Sequence, residues 1–501
     1  MMLTITLLAV LCTLGWSKQY HKRAAEYVMT FVLAIFHPIK SLSSGERMPG
    51  PSWKWTDGQM MDKFLNGFAC SRNWRRHGPI YRIASGAIPE VVITLPEDVR
   101  TFYSDSPSHE KSRSSNGGWL FHQLLGECLG LINGETWKGL RAAFGPAFSH
   151  AFVGSEFVRV DEQASSYIDD MPSQTFATVR DDNSLTANVA EAVSAFPFFC
   201  TAEYLYGPLS PDEKSKLWSI GQMNLELMGH VLGGGLTRFP FATYVNRDLA
   251  RKLARFQSEW TQFNSHVHQT RKHSAAPPPF VSTWNSVESG ELMKEEVLHT
   301  LSEILFANLD VSTGVLSWLL YFLAGDSSVQ NQLREEIMHG REDLQSYCKR
   351  KDTLLSYCMM ESFRLRPFTA FSIPESSPAD KVLSDYLVPA NTSVVVDTLS
   401  INYNPDVWGA DSEEFRPMRF HGMKATELRY NLFVFGLGTR KCLGQYFGEL
   451  MIKTFVVRLL ERYTMTGLGG PQQAEVSGGS KDSWVPLSNV QIHLQALSTG
   501  V

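Results

Sequence analysis

The sequence predicts a mainly α fold with a minor β portion, with an N-terminal membrane anchor ahead of it. Three observations carry this. Helix-length apolar or amphipathic runs recur through most of the 501 residues, strand-like alternation is confined to short blocks, and the first residues form an apolar run closed by basic side chains.

Leu3 to Trp16 is nearly all apolar, and Lys18, His21, Lys22 and Arg23 come directly after it. A helix ending at residue 16 reaches only ~24 Å, short of the ~30 Å hydrocarbon core, so the anchor is expected to tilt, thin the bilayer or continue into later residues. Tyr27 to Phe36 is a second apolar stretch suited to the membrane interface. A cleaved signal peptide is the competing reading, but a basic leading region and a small-x-small cleavage site are both missing. The positive-inside rule puts the basic flank and the rest of the chain in the cytoplasm. Met48-Pro49-Gly50-Pro51 reads as a stiff, non-helical hinge, which divides the chain into an anchor and interfacial segment, residues 1–45, and a main body, residues 46–501.

In the body, Ile80-Tyr81-Arg82-Ile83 and Val91-Val92-Ile93 read as strands of a small sheet, with Gly86 and Pro89 marking the turn between them. Helical patterns dominate afterwards: Asn188 to Tyr206, Arg251 to Gln269, Lys294 to Ala324, Ser328 to His339, Lys351 to Arg364 and Gln445 to Tyr463. Lys294 to Ala324 is apolar on nearly every face and is predicted to run through the core. Pro277-Pro278-Pro279 interrupts the chain before it, and Gly467 to Ser483 reads as a Gly-rich loop. Length alone suggests about three domains. With no repeats and no second set of core elements, a single domain is predicted for the body instead.

With 43% hydrophobic and 19% charged residues, the chain is a folded protein rather than a disordered or many-spanning one. Its net charge of -5 offers no basic field for a phosphate backbone, which argues against a nucleic-acid partner. Seven scattered cysteines, Cys12, Cys70, Cys128, Cys200, Cys348, Cys358 and Cys442, include no Cys-x-x-Cys pair, so a reducing compartment fits and zinc does not. The triplet Asn391-Thr392-Ser393 is too common a pattern to mark glycosylation.

The chemistry concentrates in Phe435-Gly436-Leu437-Gly438-Thr439-Arg440-Lys441-Cys442-Leu443-Gly444, which precedes an amphipathic helix. Gly436 and Gly438 allow a tight turn and close approach to a flat macrocycle, and Cys442 stands just before a helix whose free N–H groups favour a thiolate. An isolated cysteine among apolar residues is more often an inert core residue. The ten-residue pattern, however, resembles the haem-binding loop of cytochrome P450s at every defining position. The resemblance implies Cys442 as the axial iron ligand of haem b, with Phe435, Gly436 and Gly444 against the macrocycle and Arg440 on a propionate. Thiolate ligation pushes electron density onto iron and promotes O–O cleavage.

Two more motifs resemble the family and stand in its order. Glu361-Ser362-Phe363-Arg364 puts a carboxylate and a guanidinium one turn apart, and Pro417-Met418-Arg419-Phe420 would add the third member of a buried structural triad. Alone, the helical pair would read as a surface ion pair. Trp137 and Arg141, at i and i+4, resemble the pair that faces the propionates; alone they would be a core aromatic and a solvated charge. The resemblance runs from about Pro49 to the C-terminus.

In the central helix the family usually has an acid followed by threonine, whereas this chain has Ala307-Asn308-Leu309-Asp310-Val311-Ser312. O–O scission consumes protons, and valine carries none to give. Either Ser312 or Thr313 supplies the hydroxyl after a local helix distortion, or Asn308 and ordered water do so, or proton delivery matters less. The bland alternative is that Asn308 and Ser312 merely bond back to their own helix. The segments Phe306 to Thr313 and Phe371 to Ser376 resemble fungal P450s of gliotoxin-type epidithiodiketopiperazine pathways. That implies a cyclic dipeptide as substrate, often with an aromatic side chain, and hydroxylation, epoxidation or oxidative cyclisation as the reaction. The basic residue that the family often carries after Glu-x-x-Arg to hold a propionate is missing from Phe368 to Pro374.

The function expected is a monooxygenase using O2. The alternatives are a P450 that couples or cyclises its substrate without retaining oxygen, a haem-binding carrier or sensor, and a peroxide-using isomerase. No dinucleotide motif or flavin domain fits in the chain, so electrons are expected from NADPH-cytochrome P450 reductase, with cytochrome b5 as a further donor, at the endoplasmic reticulum membrane. Lys441, Arg72, Arg75 and Arg76 are the expected docking charges. Lys111 to Phe121, Phe196 to Phe241 and Phe368 to Ile373 are the expected substrate-contacting segments.

Overall fold

A computed structural model describes residues 18–179, 184–468, 487, 488 and 490–497. The apolar run Leu3 to Trp16 and nearly all of the loop Gly467 to Ser483 lie outside the described residues. The basic flank and the stretch Tyr27 to Phe36 form one helix, Lys18–Phe36. Its inner face buries Ala25 and Leu33, the latter packed with Trp53 and Ala84, while Tyr27, Phe31 and Phe36 are exposed. The hinge is bound to the body: Arg82 N–H donates to Pro49 O at 2.8 Å, and a Cβ on Gly50 would come within 2.0 Å of Arg82 O.

The β portion is three small sheets. The largest orders Ile80–Ser85, Ile88–Ile93, Ser393–Val396, Glu375–Ser376 and Glu110–Lys111, with only the Ile88–Ile93 and Ser393–Val396 pair parallel. Its centre is the β-branched run Val91, Val92, Ile93, fully buried against Val394 to Val396. Gly86, at φ +63°, makes the turn as expected. Pro89 lies inside the second strand instead of in the turn; pairing on that strand's other side starts only at Glu90, so the missing N–H costs no ladder bond there. A four-stranded sheet, Tyr463–Leu468, Gln491–Ala496, Ser184–Asn188 and Ala177–Val179, joins the two ends of the helical region.

The helical patterns form helices with shifted ends. Asn188 caps Val189–Tyr206 by accepting from Ala190 N and Glu191 N. Asn246 caps a helix that runs Arg247–Arg271, longer than its apolar pattern, and Thr353 caps Leu354–Leu365. Lys294–Gly325 is long and apolar enough to cross a membrane, but its apolar window is 61% buried inside the protein, which marks a core helix. Leu301, Leu305, Leu316, Leu319 and Leu320 are all buried there, each contributing about 1.5–3 kcal/mol. They pack with residues of Val189–Tyr206, Arg247–Arg271 and Gln445–Arg462 in one core cluster.

Two buried ion pairs tie the helical part to the sheet. Lys63 Nζ lies 2.7 Å from Glu90, which also accepts from Asn116 Nδ2 at 2.7 Å. Arg238 pairs with the buried Asp57 at 3.3 Å and donates to Asn116 O at 2.8 Å, so the turn Gly235–Arg238 is held against both the sheet and the 113–118 segment.

Candidate active site

The thiolate loop is closed by Cys442 N–H donating to Phe435 O at 2.8 Å. Gly436 and Gly438 take positive φ, +75° and +68°, and a Cβ on Gly438 would come within 2.4 Å of Ser106 Oγ. Gly444 is the cap of Gln445–Arg462. Cys442 is the only exposed cysteine among the described residues. Even so, surrounding protein pushes its thiol pKa up, while backbone N–H groups of Gly444 and Gln445 and the charge of Arg141 pull it back. Cys442 is thus accessible and at the same time surrounded by protein. The remaining described cysteines are buried, and burial raises their pKa, that of Cys70 to about 12 and that of Cys348 to about 11.

Arg440 is held from the side of residues 129–133. It donates to Asn133 Oδ1 at 2.9 Å and Ile132 O at 2.8 Å, and its guanidinium lies 4.7 Å from the Trp137 ring centre. Trp137 and Arg141 share the helix Gly134–Phe144. Neither Arg440 nor Arg141 has a carboxylate at ion-pair distance among the described residues, although burial lowers the pKa of both.

The central helix breaks its regular hydrogen bonding at Asn308–Ser312, which forms a π turn between Lys294–Ala307 and Thr313–Gly325. Asn308 Nδ2 donates to Ile304 O at 2.6 Å, and its Oδ1 accepts from Ser312 Oγ at 2.5 Å. Thr313 is buried and donates back to Asn308 O at 3.1 Å. The bland reading therefore describes half of Asn308 but not Ser312. Asp310 is buried at the same bend. Val311 and Ser312 lie on a partly accessible stripe.

On the far side of the loop, Glu361 binds Arg364 at 2.7 Å and Arg419 at 2.8 Å, with Glu361 and Arg364 fully buried. Arg364 also donates to Asn402 O and Ser412 O, so no charge of the pair is left bare.

Sequence reasoning missed the segment linking these parts. Backbone N–H groups of Glu127, Leu129 and Gly130 donate to His299 Nδ1, Thr300 Oγ1 and Glu303 Oε2 at 3.1, 3.0 and 3.0 Å. Residues 127–133 thus strap the central helix to Arg440. Another missed group is Glu375, which pairs with Lys111; Asn133 in turn binds Lys111 through both backbone N and O. No local pattern announces these pairs, because their partners are far apart in the chain.

An accessible thiol at a helix start, two guanidiniums without carboxylate partners and a facing helix with a polar bend together suit a flat, anionic, metal-bearing macrocycle. The family model for cytochrome P450 matches residues 49–478, and the chain belongs to the cytochrome P450 family. Among its relatives, the cytochrome P450 monooxygenase hasH of Aspergillus fumigatus is 37% identical over 95% of this chain and 89% of its own length. The cytochrome P450 monooxygenase sirC of Leptosphaeria maculans is 37% identical over 91% and 89%, and gliC of Aspergillus fumigatus, also named a cytochrome P450 monooxygenase, is 33% identical over 93% of each. Family membership carries a haem cofactor, O2, a substrate and a redox partner, and it makes the chain a monooxygenase by class.

Proposed function

We propose that this chain is a membrane-anchored monooxygenase of fungal secondary metabolism that oxidises a small hydrophobic metabolite of the cyclic dipeptide class. The observation that carries the chemistry is the accessible Cys442 thiol at the start of Gln445–Arg462, the one described cysteine open to a ligand. The substrate class rests on the resemblance of Phe306 to Thr313 and Phe371 to Ser376. Residues 46–501 are read as the catalytic domain and residues 1–45 as anchor and interfacial segment.

Cys442 would hold the iron of haem b, Arg440 and Arg141 its propionates, and Trp137, Phe435, Gly436 and Gly444 its faces and edge. When bound, the haem supplies iron that activates O2 with electrons from the redox partner. Ser312 bears the only hydroxyl on the accessible stripe of the central helix and is the group able to hold a proton there. Asn308, anchored to Ile304 O, fixes the direction of that hydroxyl, and the buried Asp310 stands behind the bend as the acid. The Glu361, Arg364 and Arg419 triad has a structural role beneath the loop.

NADPH-cytochrome P450 reductase is the proposed electron source, with cytochrome b5 as a further donor, docking at Lys441, Arg72, Arg75 and Arg76, all exposed. The proposed site of residence is the endoplasmic reticulum membrane, with a single-pass anchor and a cytosolic body. Two apolar patches support it. Helix Lys18–Phe36 docks on Trp53 through Thr30 Oγ1, close in sequence to Asp57, and Asp57 in turn holds Arg238 beside the exposed Leu236, Phe239, Phe241 and Tyr244.

Val311 favours a second reading, a P450 that closes or couples rings and leaves no oxygen in the product, since such chemistry leans less on proton delivery. Turnover under 18O2 with reductase and a panel of cyclic dipeptides separates the two. One labelled oxygen per product is expected; an unlabelled oxidised product selects the second reading.

A further inference from the structure

The central helix shows a stripe of partly accessible residues, Glu303, Ile304, Ala307, Asn308, Val311 and Ser312, while Leu301, Leu305, Leu309 and Leu316 on its other faces are buried. A stripe of this kind on a helix that crosses the core is the wall of an internal space. Cys442 lies close enough to this stripe for the Glu303 carboxylate to push the thiol pKa up.

Glu303 is the only ionisable side chain on that stripe. Its Oε2 accepts from Gly130 N–H at 3.0 Å, and a Cβ on Gly130 would lie 1.9 Å from Oε1, so the carboxyl sits directly against the strap at residue 130. Its one side-chain partner is the weakly donating Cys128 thiol. Burial raises the pKa of Glu303, and Gly130, Cys128, Arg440 and Lys111 pull it back. Asn308 and Ser312 are already bonded to each other. Among the residues of this stripe, Glu303 therefore carries the one charged acceptor.

We infer that Glu303 is a specificity-determining residue whose carboxyl accepts a hydrogen bond from a substrate N–H and so fixes which edge of the substrate faces Ser312 and Cys442. The secondary amide as its partner rests on the cyclic dipeptide reading above. An N–H buried in an otherwise apolar space needs an acceptor, and losing it typically weakens binding by about ten-fold.

The test uses the purified full-length holoenzyme and the ligand-induced shift of the haem spectrum. The probes are cyclic dipeptides with one aromatic side chain, each paired with its N,N′-dimethyl counterpart. Wild type is expected to bind the free amides about ten-fold more tightly than the methylated ones. Glu303→Gln, which keeps an acceptor oxygen, is expected to retain most of that preference, and Glu303→Leu to abolish it and change the ratio of product isomers. A preference undiminished in haem-loaded Glu303→Leu overturns the role of Glu303 and leaves the substrate reading intact. No shift in wild type with any member of the panel overturns the cyclic dipeptide reading, and with it the amide as partner. Should Glu303→Leu not load haem, wild type decides alone: equal affinity for free and methylated amides overturns the inference.

Discussion

Val311 stands on the accessible stripe where the family usually has a threonine, and in the proposed function Ser312 supplies the hydroxyl one residue later. The π turn Asn308–Ser312 widens the backbone so that Ser312 reaches Asn308 Oδ1 and stays on the stripe, while Thr313 is buried and bonds back to its own helix. A Val311→Thr variant adds a second hydroxyl beside Ser312. The share of electrons that ends in product, measured as product formed per NADPH consumed, is expected to rise by about twofold or more. An unchanged ratio would mean that protons reach the site by a route independent of the stripe. Cys442, Arg440 and Glu361 were legible in the sequence because each belongs to a short motif with particular residue types at fixed spacing. Glu303 and His299 were not, since their partners lie more than 170 residues away and a lone Glu or His on an apolar helix reads as a tolerated defect.

The strap of residues 127–133 depends on a neutral histidine. His299 accepts from Glu127 N–H through Nδ1, and burial lowers its pKa to about 4 from an ordinary value near 6.5. Between those values the unfolded chain binds the proton and the folded one does not, so stability falls as pH drops from about 6.5 towards 4, by roughly 3 kcal/mol. Thermal unfolding followed from pH 7 to pH 4.5 should show this loss, and His299→Gln, which cannot titrate, should flatten the part due to this group. A variant with the wild-type pH slope would remove His299 from the account. Among the elements, the helices and the first sheet were readable from periodicity, and their ends were not. Asn246 and Thr353 set helix starts by accepting backbone N–H groups, a contact that apolar patterning does not encode. The π turn was foreseen only as one of several ways to replace a missing hydroxyl.

At the scale of the whole molecule, Tyr27, Phe31 and Phe36 on one segment and Phe239, Phe241 and Tyr244 on another are exposed aromatics, and the two segments are tied to the stretch 53–57 through Trp53 N–H and Asp57. A chain lacking residues 1–17 is expected to keep measurable binding to vesicles of endoplasmic-reticulum lipid composition in sedimentation, and Phe239→Ser with Phe241→Ser to weaken it by about ten-fold. Full retention in the double variant would place the membrane elsewhere. Everything proposed for catalysis depends on one bond between a side-chain sulfur and iron. The most direct measurement is the absorption spectrum of the haem-loaded, reduced, carbon-monoxide-treated protein, with Cys442→His beside it. Wild type should show the long-wavelength band of thiolate ligation, and Cys442→His should retain haem yet lose that band. The same band surviving in Cys442→His would show that another residue holds the iron.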